Sequence, residues 1–402
     1  MFNALFQETG PLGGRGPKEE MHLEPTMKQA VLRRTARKFC ETRLSSAAGM
    51  MDRDARFPWD IAREMADLQY FGLEIPALYG GAGLDTASSA IVIEEIARVS
   101  AAMGLCVSVH NSVSAYPLYL YGDEGQRREY LIPLARGEKI GTFCLTEPNA
   151  GSDASSIETR AFLHGDEYVL NGNKIFVTNG GVSGVNLIFA TLEGGQKDRG
   201  FSVFIVDSET RGLVKGPPED LIGMRGNPVC PISLHDCRVP VKNRLGEEGE
   251  GLKIALSILD GGRIGIAAQA LGIAQASLDL SLRYAKERQQ FGKALSEFGA
   301  IKHFLADMAT RIDAARLLVF RACHLKDKGR HHGRESAMAK VYASEAAVYA
   351  ARIGIQIHGG YGCTKAYPIE RLYRDSKVCE IYEGTSEVQR MIIARSLIHE
   401  SV

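Results

Sequence analysis

Apolar and polar positions follow a helical period through the first third of the chain. From Pro25 to about Arg136 the sequence is rich in Ala, Leu, Arg and Lys. Within residues 58–70, Ile61, Met65 and Leu68 recur at i, i+4 and i+7. The pattern predicts helices over residues 27–48, 58–70 and 86–100.

A glycine-rich segment, PALYGGAGLD, occupies residues 76–85 between the second and third predicted helices. It has neither the Lys-Ser/Thr pair of a P-loop nor an apolar strand before it. We therefore interpret it as a plain turn and not as a phosphate-binding loop.

The pattern changes near Ile140, where short β-branched and aromatic runs are separated by Gly, Asn and Asp. No helical pattern lies between these runs, so they predict an antiparallel β domain or small barrel that ends near Asn243. The runs cover residues 140–145, 167–172, 174–180, 186–192 and 201–207. After the segment GEEGEG the helical period returns and predicts helices over 252–288, 298–326, 334–359 and 385–399.

The predicted fold class is therefore α+β. A chain of 402 residues exceeds the ~100 to 200 residues of one domain, and the pattern changes suggest three. We expect an N-terminal α-helical domain over 25–140, a middle antiparallel β domain over 141–245 and a C-terminal helical bundle over 246–402. Residues 1–24, with their Gly and Pro, are expected to form a flexible tail.

Charge and cysteine content narrow the function classes. The 48 Lys and Arg balance the 48 Asp and Glu, which argues against nucleic-acid and acidic-membrane partners. The eight cysteines include no CxxC pair, so we expect neither a metal site nor a disulfide scaffold. We see no apolar run near the ~18 to 20 residues of a membrane span and no secretory signal. A cytoplasmic location without membrane insertion is the resulting expectation.

Two segments of the β region carry candidate binding groups. FCLTEPNAGSD, residues 143–153, places Thr146 and Ser152 in a loop whose N–H groups suit a heteroaromatic ring or a phosphate. An ordinary hairpin loop is the simpler explanation on composition alone. In KIFVTNG, residues 174–180, Phe176 and Thr178 would share one face of a strand, which a core Phe and a surface Thr explain equally well.

A pair of glycines interrupts the helical pattern in IQIHGGYG, residues 355–362. The glycines allow close approach of a backbone or a ligand, and a helix C-cap is the alternative. We interpret the neighbouring His358 as structural. The pair His331 and His332 is interpreted as part of a solvated loop.

The segment EIYEGTSE, residues 380–387, gives the sharpest local signal. Glu383 lies between Tyr382 and Gly384, just before a helix that Thr385 or Ser386 would cap. Desolvation beside apolar groups would raise the pKa of this carboxyl toward the range of a general base. An exposed loop glutamate is the alternative.

Four segments in this order resemble the acyl-CoA dehydrogenase family of flavoproteins. They are LTEPNAGSD (145–153), ERQQFGK (287–293), QIHGGYG (356–362) and RDSKVCEIYEGTSEVQR (374–390). The resemblance covers the chain from about Pro25 to Ser401. It implies a bound FAD, an acyl-CoA substrate, a homo-oligomer that is usually a tetramer, and an electron-transfer flavoprotein as electron acceptor.

The resemblance also implies which residues bind the cofactor. Residues 143–152 and 176–178 match segments along the flavin, and 385–387 match a segment at the FAD diphosphate. Residues 288–291 and 356–360 match positions that reach the FAD of a neighbouring subunit. The implied cofactor-binding residues are Phe143, Leu145, Thr146, Gly151, Ser152, Phe176, Val177, Thr178, Arg288, Gln290, Phe291, Gln356, Ile357, Gly359, Gly360, Thr385 and Glu387.

Glu383 matches the catalytic base of the short- and medium-chain members. In that chemistry a carboxylate removes the α-proton of a thioester while hydride leaves the β-carbon for flavin N5. The base's own backbone N–H is one of the donors to the thioester oxygen. Some relatives carry the base on the long helix instead, at the position of Gly262. The substrate-binding residues implied by the resemblance are Ser152, Asp260, Arg263 and Gly384.

Three positions depart from the family pattern. Phe176 stands where most members have Trp, and Gly299 replaces a Gln near the adenine. Residues 224–230, MRGNPVC, also differ, so we assign no site residues there. The resemblance favours an FAD-dependent dehydrogenase of a short-chain acyl-CoA, with branched and cyclic chains left open. The alternatives are a flavin oxidase of acyl-CoA or nitroalkane type, and a non-catalytic FAD-bound assembly protein.

Overall fold

The computed structural model describes residues 25–193 and 200–400, so the expected tail over 1–24 lies outside the described residues. Helices form the N-terminal region, and π-helical turns at Cys40–Leu44, His110–Ala115 and Arg127–Leu131 join several of them. The helices are α1 Met27–Phe39, α2 Ser45–Asp54, α3 Trp59–Asp67, α4 Thr86–Val99, α5 Ala101–Val109, α6 Tyr116–Tyr121, α7 Glu124–Gln126 and α8 Ile132–Ala135.

Strands follow from Ile140 onward and form one sheet. They are β1 Ile140–Cys144, β2 Arg160–His164, β3 Glu167–Val177, β4 Ser183–Leu192, β5 Phe201–Asp207, β6 Leu213–Lys215, β7 Cys230–Pro240 and β8 Arg244–Leu245. The strand order is β6-β7-β3-β2-β4-β5-β8, and β1 pairs with β4.

The sheet is mainly antiparallel, but two of its pairs correct the expected arrangement. Strand β4 runs parallel to both β1 and β2, whereas the other pairs are antiparallel. Parallel neighbours need a crossover of a dozen or more residues. The long segments between the end of β1 or β2 and the start of β4 provide it.

Long helices make up the C-terminal region. They are α9 Gly251–Glu287, α10 Gly299–Asp327, α11 Gly333–His358, α12 Ile369–Val378 and α13 Ser386–Glu400. A two-stranded ribbon, β9 Gln289–Gln290 and β10 Lys293–Ala294, lies between α9 and α10. Helices α9, α10 and α11 pack on one another, and α4 packs on α9. These bounds confirm the four predicted C-terminal helices.

The sequence expectation about apolar runs is wrong for α9. In the described part of the chain, α9 is the helix that is long and apolar enough to cross a membrane by length and composition. However, 72% of its most apolar stretch is buried inside the protein. A helix that is apolar on all sides is expected at the centre of a helical core, and this position explains its composition.

The glycine-rich turn over 76–85 is closed on itself. A β-carbon at Gly81 would lie 2.2 Å from the carbonyl oxygen of Ile75. The segment is therefore packed against its own backbone, which confirms the interpretation as a turn.

Candidate active site

Glu383 lies in the short connection between α12 and α13. Its φ is +50° and that of Gly384 is +90°, so two consecutive residues adopt the left-handed conformation, which is uncommon for a residue with a side chain. Helix α13 begins at Ser386, and the Thr385 hydroxyl accepts a hydrogen bond from the Val388 N–H at 3.3 Å. The predicted cap at Thr385 is thereby confirmed.

The carboxylate of Glu383 is enclosed by protein. Both of its oxygens are buried and have no hydrogen-bond partner among the described residues. Burial raises the pKa of Glu383 to about 7, against the opposing charges of Arg263 and Lys340. The expected raised pKa is confirmed, and the alternative of an exposed carboxylate is contradicted.

Helix α9 leaves room for this carboxylate. A β-carbon at Gly262 would lie 2.3 Å from Glu383 Oε2 and 3.0 Å from Val113 Cγ1. Contacts this short do not occur, so the carboxylate can occupy its position only because residue 262 has no side chain.

The residue after Gly262 on α9 is a buried arginine. Arg263 is 6% exposed and donates a hydrogen bond to Asp260 through Nη1, while its Nε is buried without a partner in the described chain. A β-carbon at Gly333 would lie 2.9 Å from Asp260 Oδ2. The start of α11 therefore packs against the pair formed by these two candidate substrate-binding residues.

His332 corrects one expectation. It is half-buried immediately before α11, where its Nδ1 lies 2.9 Å from the Ser336 hydroxyl. The histidine is therefore packed against the helix it precedes, whereas His331 is exposed as expected. His358 is structural as interpreted, since Nδ1 lies 2.7 Å from the Gly354 carbonyl and the ring stacks on Tyr284.

A buried ion pair shapes the loop that follows β1. Lys174 Nζ lies 2.6 Å from Glu147 Oε1 and 3.3 Å from the Leu145 carbonyl oxygen, and Lys174 has no exposed side-chain surface. The same carboxylate accepts the Thr159 N–H at 3.0 Å. Both ends of the loop are therefore fixed, while Gly151 and Ser152 in its middle are exposed.

Phe176 does not follow the alternation of a regular strand. Its φ is +52°, and the pairing of β3 with β7 shifts register between Lys174 and Val177. This bulge turns Phe176 outward, where it is 58% exposed, while Val177 is buried. Strand β3 ends at Val177, so the expected shared strand face of Phe176 and Thr178 is wrong.

One helical segment lies between this strand end and Glu383. Asn179 donates a hydrogen bond from Nδ2 to the Cys106 carbonyl on α5 at 3.2 Å. Val113, which lies near Gly262 as the Glu383 carboxylate does, is seven residues further along, in the π-helical segment that continues α5. The end of β3 and the surroundings of Glu383 therefore border the same helical segment.

A second group of candidate residues lies elsewhere. Arg288, Gln290, Ile357, Gly359 and Gly360 line a cavity of about 450 Å³ together with His358 and other residues of the α9 and α11 ends. Phe291, at φ +51°, is 92% exposed, and Gln356 is exposed as well. Helix α11 ends at His358, so the two glycines follow a helix end and also line a cavity.

The length of α9 separates the two groups. Arg263 and Arg288 are 25 residues apart, which corresponds to about 37 Å along the helix at 1.5 Å per residue. Residues of the second group therefore cannot contact Glu383 of the same chain. This separation is consistent with a cofactor shared between subunits.

Sequence reasoning missed several residues of the site. Glu147 and Lys174 fix the loop after β1, and Lys340 and Gln389 contact the residues around the base. Lys340 could have been noticed, because it lies on the buried stripe of α11 with Ser336, Ala343 and Ala347. A lysine at a core position of a helix is rare without a specific partner.

Three family models match the chain in succession. The model of the acyl-CoA dehydrogenase N-terminal domain matches residues 26–138, that of the middle domain 142–237, and that of the C-terminal domain 249–398. Together they span nearly all the described residues.

Individual relatives agree with these matches. An acyl-CoA dehydrogenase of Bacillus subtilis is 45% identical over 94% of this chain and 99% of its own length. A short-chain specific acyl-CoA dehydrogenase of Clostridium acetobutylicum is 42% identical over 93% of this chain and 99% of its own. The structure of butyryl-CoA dehydrogenase from Megasphaera elsdenii is 40% identical, covers 94% of this chain and all of its own, and superimposes with a TM-score of 0.92. The chain belongs to the acyl-CoA dehydrogenase family and is an FAD-dependent oxidoreductase.

Proposed function

We propose that the protein desaturates a short-chain acyl-CoA, with Glu383 as the base that removes the α-proton. The C–H electron pair at the α-carbon becomes part of the new α,β double bond, and bound FAD would supply the acceptor for the hydride of the β-carbon. The observation that carries this proposal is the buried, unpartnered carboxylate of Glu383, whose pKa burial raises to about 7. A base with a pKa near the working pH is well matched to proton abstraction.

Residues at the end of β3 and in the loop after β1 fit a flavin ring. The exposed ring of Phe176 and the exposed positions 151 and 152 offer an apolar face and backbone groups beside the loop after β1. We assign Phe143, Leu145, Thr146, Val177 and Thr178 to the same flavin site. FAD, when bound, supplies the hydride acceptor.

The thioester needs donors as well as a base. Negative charge develops on its oxygen as the α-proton leaves, and fixed donors stabilise that charge. We assign one of them to the backbone N–H of Glu383. We also assign Asp260, Arg263 and Ser152 to the path of the CoA and acyl groups, with Gly384 beside the base.

Helix packing near the base supports a short acyl chain. A β-carbon at Gly265 would lie 2.2 Å from the Ser108 hydroxyl, so α5 and α9 are in direct contact there. Gly265 is three residues from Gly262, about 4.5 Å along α9. The contact between α5 and α9 therefore leaves little room for an acyl chain to extend past the Glu383 carboxylate. The Clostridium relative is a short-chain specific acyl-CoA dehydrogenase and the Megasphaera relative a butyryl-CoA dehydrogenase, which supports a short chain.

The second candidate site supports a shared cofactor. We assign Arg288, Gln290, Phe291, Gln356, Ile357, Gly359 and Gly360 to the FAD of a neighbouring subunit, with Thr385 and Glu387 at the diphosphate of the chain's own cofactor. A homotetramer with an electron-transfer flavoprotein as electron acceptor follows from the family resemblance. We propose the cytoplasm as its location.

The direct test mixes the purified flavoprotein anaerobically with thioesters of increasing acyl length. We expect the oxidised flavin band to bleach fastest with a four-carbon or similarly short acyl-CoA. Bleaching by none of the thioesters would contradict the proposal. A parallel aerobic assay separates the oxidase alternative, because that activity would release hydrogen peroxide continuously with substrate.

A further inference from the structure

Lys340 is a buried lysine next to the base. It lies on α11 with no exposed surface, and its Nζ donates a hydrogen bond to the Gly384 carbonyl at 2.7 Å. No carboxylate lies within ion-pair distance of this ammonium in the described part of the chain. A buried charge without a close counterion is costly, so the position calls for a functional reason.

Two other buried or largely buried lysines, unlike Lys340, are paired with a carboxylate. The buried Lys174 is paired with Glu147, and the largely buried Lys326 lies 2.6 Å from Glu74 Oε2. Each of these ammonium groups is neutralised directly by a glutamate. Lys340 instead contacts the peptide that follows the base.

Gln389 contacts the same peptides from α13. Its Nε2 donates to the Glu383 carbonyl at 3.0 Å and to the Gly384 carbonyl at 2.9 Å. Glu383 and Gly384 are the two consecutive left-handed residues, and such a conformation persists only when the surroundings hold it. The two side chains therefore hold both carbonyl groups of the strained turn.

We propose that Lys340 is a positioning residue for Glu383, which with Gln389 fixes the turn that carries the base and places a positive charge beside its carboxylate. This inference rests on the proposed function, since it assigns Lys340 a role only through Glu383. Fixing the turn fixes both the carboxylate and the backbone N–H of residue 383. Catalysis is sensitive to displacements of this kind.

The charges around Glu383 determine in which direction its pKa changes when the charge of Lys340 is removed. Arg263 on α9 and Lys340 on α11 face Glu383, and both lower the pKa of its carboxyl. Lys340 is in turn faced by Cys379, Glu380, Glu383 and Arg263, and burial lowers its own pKa to about 8. Removal of the Lys340 charge would leave Arg263 alone opposite the carboxylate. The pKa of Glu383 would then rise further.

The test compares the pH dependence of anaerobic flavin reduction in the FAD-loaded wild type and in Lys340→Met. The variant keeps the length of the side chain but loses the charge and the donor. We expect its plateau rate to fall at least ~10-fold and the midpoint of its acid limb to move up by about one pH unit. A plateau and midpoint equal to those of the wild type would overturn the proposal.

Lys377→Met is the matched control. Lys377 is 56% exposed and pairs with Glu380 on the surface of the same region, so the variant loses an equal charge without changing the turn. We expect a wild-type profile. A shift as large as that of Lys340→Met would show that any nearby charge suffices, and would overturn the assignment to Lys340.

Two further variants keep the outcomes distinct. If Lys340→Met does not retain FAD, the same measurement is made with Gln389→Leu. A plateau rate of Gln389→Leu equal to that of the wild type would then overturn the proposal. Glu383→Gln separates the proposed function from the positioning role of Lys340. If that variant reduces flavin at the wild-type rate, the proposed function fails. If it is inactive while Lys340→Met behaves as wild type, only the positioning role fails.

Discussion

The carboxylate of Glu383 occupies the space that Gly262 leaves open. A β-carbon at residue 262 would lie 2.3 Å from Oε2, so a side chain on α9 and the base in the α12–α13 connection exclude each other. Glycine at 262 therefore leaves the room that the Glu383 carboxylate occupies.

Gly262→Ala is therefore expected to displace the base. We predict a fall in the rate of flavin reduction of at least ~10-fold, with FAD retained, because the added methyl group forces the carboxylate to move. Gly261→Ala is the matched control, since its β-carbon would lie 3.5 Å from Lys326 Nζ, an ordinary contact. Equal rates in the two variants would contradict the steric account.

Lys174→Met is expected to loosen the loop after β1. The change leaves Glu147 buried without its partner, which typically costs roughly 3–5 kcal/mol of unfolding free energy, and it frees the Leu145 carbonyl. We predict lower stability and faster release of FAD. Thermal unfolding and the flavin content after gel filtration measure the two effects.

Arg160→Gln provides the comparison for this pair. Arg160 and Glu193 form an ion pair of 3.1 Å on the same sheet, but their side chains are 68% and 45% exposed. Loss of an exposed pair costs about 1 kcal/mol or less. If Lys174→Met and Arg160→Gln retained FAD equally, the ion pair of Lys174 and Glu147 would not be what holds the loop after β1.

Arg288→Glu tests the second group of candidate residues. Arg288 lines the cavity near Gly359 and lies about 37 Å from Arg263 along α9. We predict that reversing its charge both releases FAD and weakens the oligomer, because an arginine suits the pyrophosphate of a cofactor in a neighbouring subunit. Light scattering and the absorbance of bound flavin report both effects, and a flavin-loaded monomer would contradict the shared site.

His110 is expected to make the fold sensitive to acid. Its ring is buried, with Nδ1 accepting the Gly141 N–H at 3.0 Å and Nε2 lying 3.1 Å from the Leu134 carbonyl. Burial lowers the pKa of His110 to about 4, below the ~6.5 of an unfolded histidine. The unfolded chain therefore binds the proton first, and stability falls as the pH drops from about 6.5 to 4.

The size of this effect is on the order of 3 kcal/mol over the full interval. Urea unfolding near pH 7 and near pH 4 measures it in the wild type and in His110→Asn, which cannot titrate at this position. We predict a smaller loss of stability in the variant. An equal loss in both proteins would assign the acid sensitivity to other groups.

The elements of the chain were predictable where the pattern is local. Helices α9, α10, α11 and α13 begin and end within two residues of their predicted bounds, because their apolar periods are long. The parallel pairing of β4 with β1 and β2 was not predictable. It depends on contacts between distant segments, which an alternating pattern does not encode.

In the candidate site, too, local features were predictable from the sequence and features that depend on distant contacts were not. The raised pKa of Glu383 follows from its apolar neighbours in the sequence. The bulge that turns Phe176 outward depends on the pairing of β3 with β7. It leaves no mark in the hydrophobic pattern of the sequence, so it was not predicted. The contact of Lys340 with Gly384 joins residues 44 positions apart, so only the folded structure brings the lysine to the base.

Glu383→Gln tests whether Glu383 removes the α-proton. The amide has nearly the shape of the carboxyl group but cannot accept the proton. Wild type and variant, both loaded with FAD, are mixed anaerobically with the thioester that bleaches the wild type fastest, and the flavin band is followed through one turnover. We predict that the variant retains FAD and binds the thioester but reduces its flavin at least ~10² to 10⁴ times more slowly. Reduction at a near-normal rate would contradict the assignment of the base.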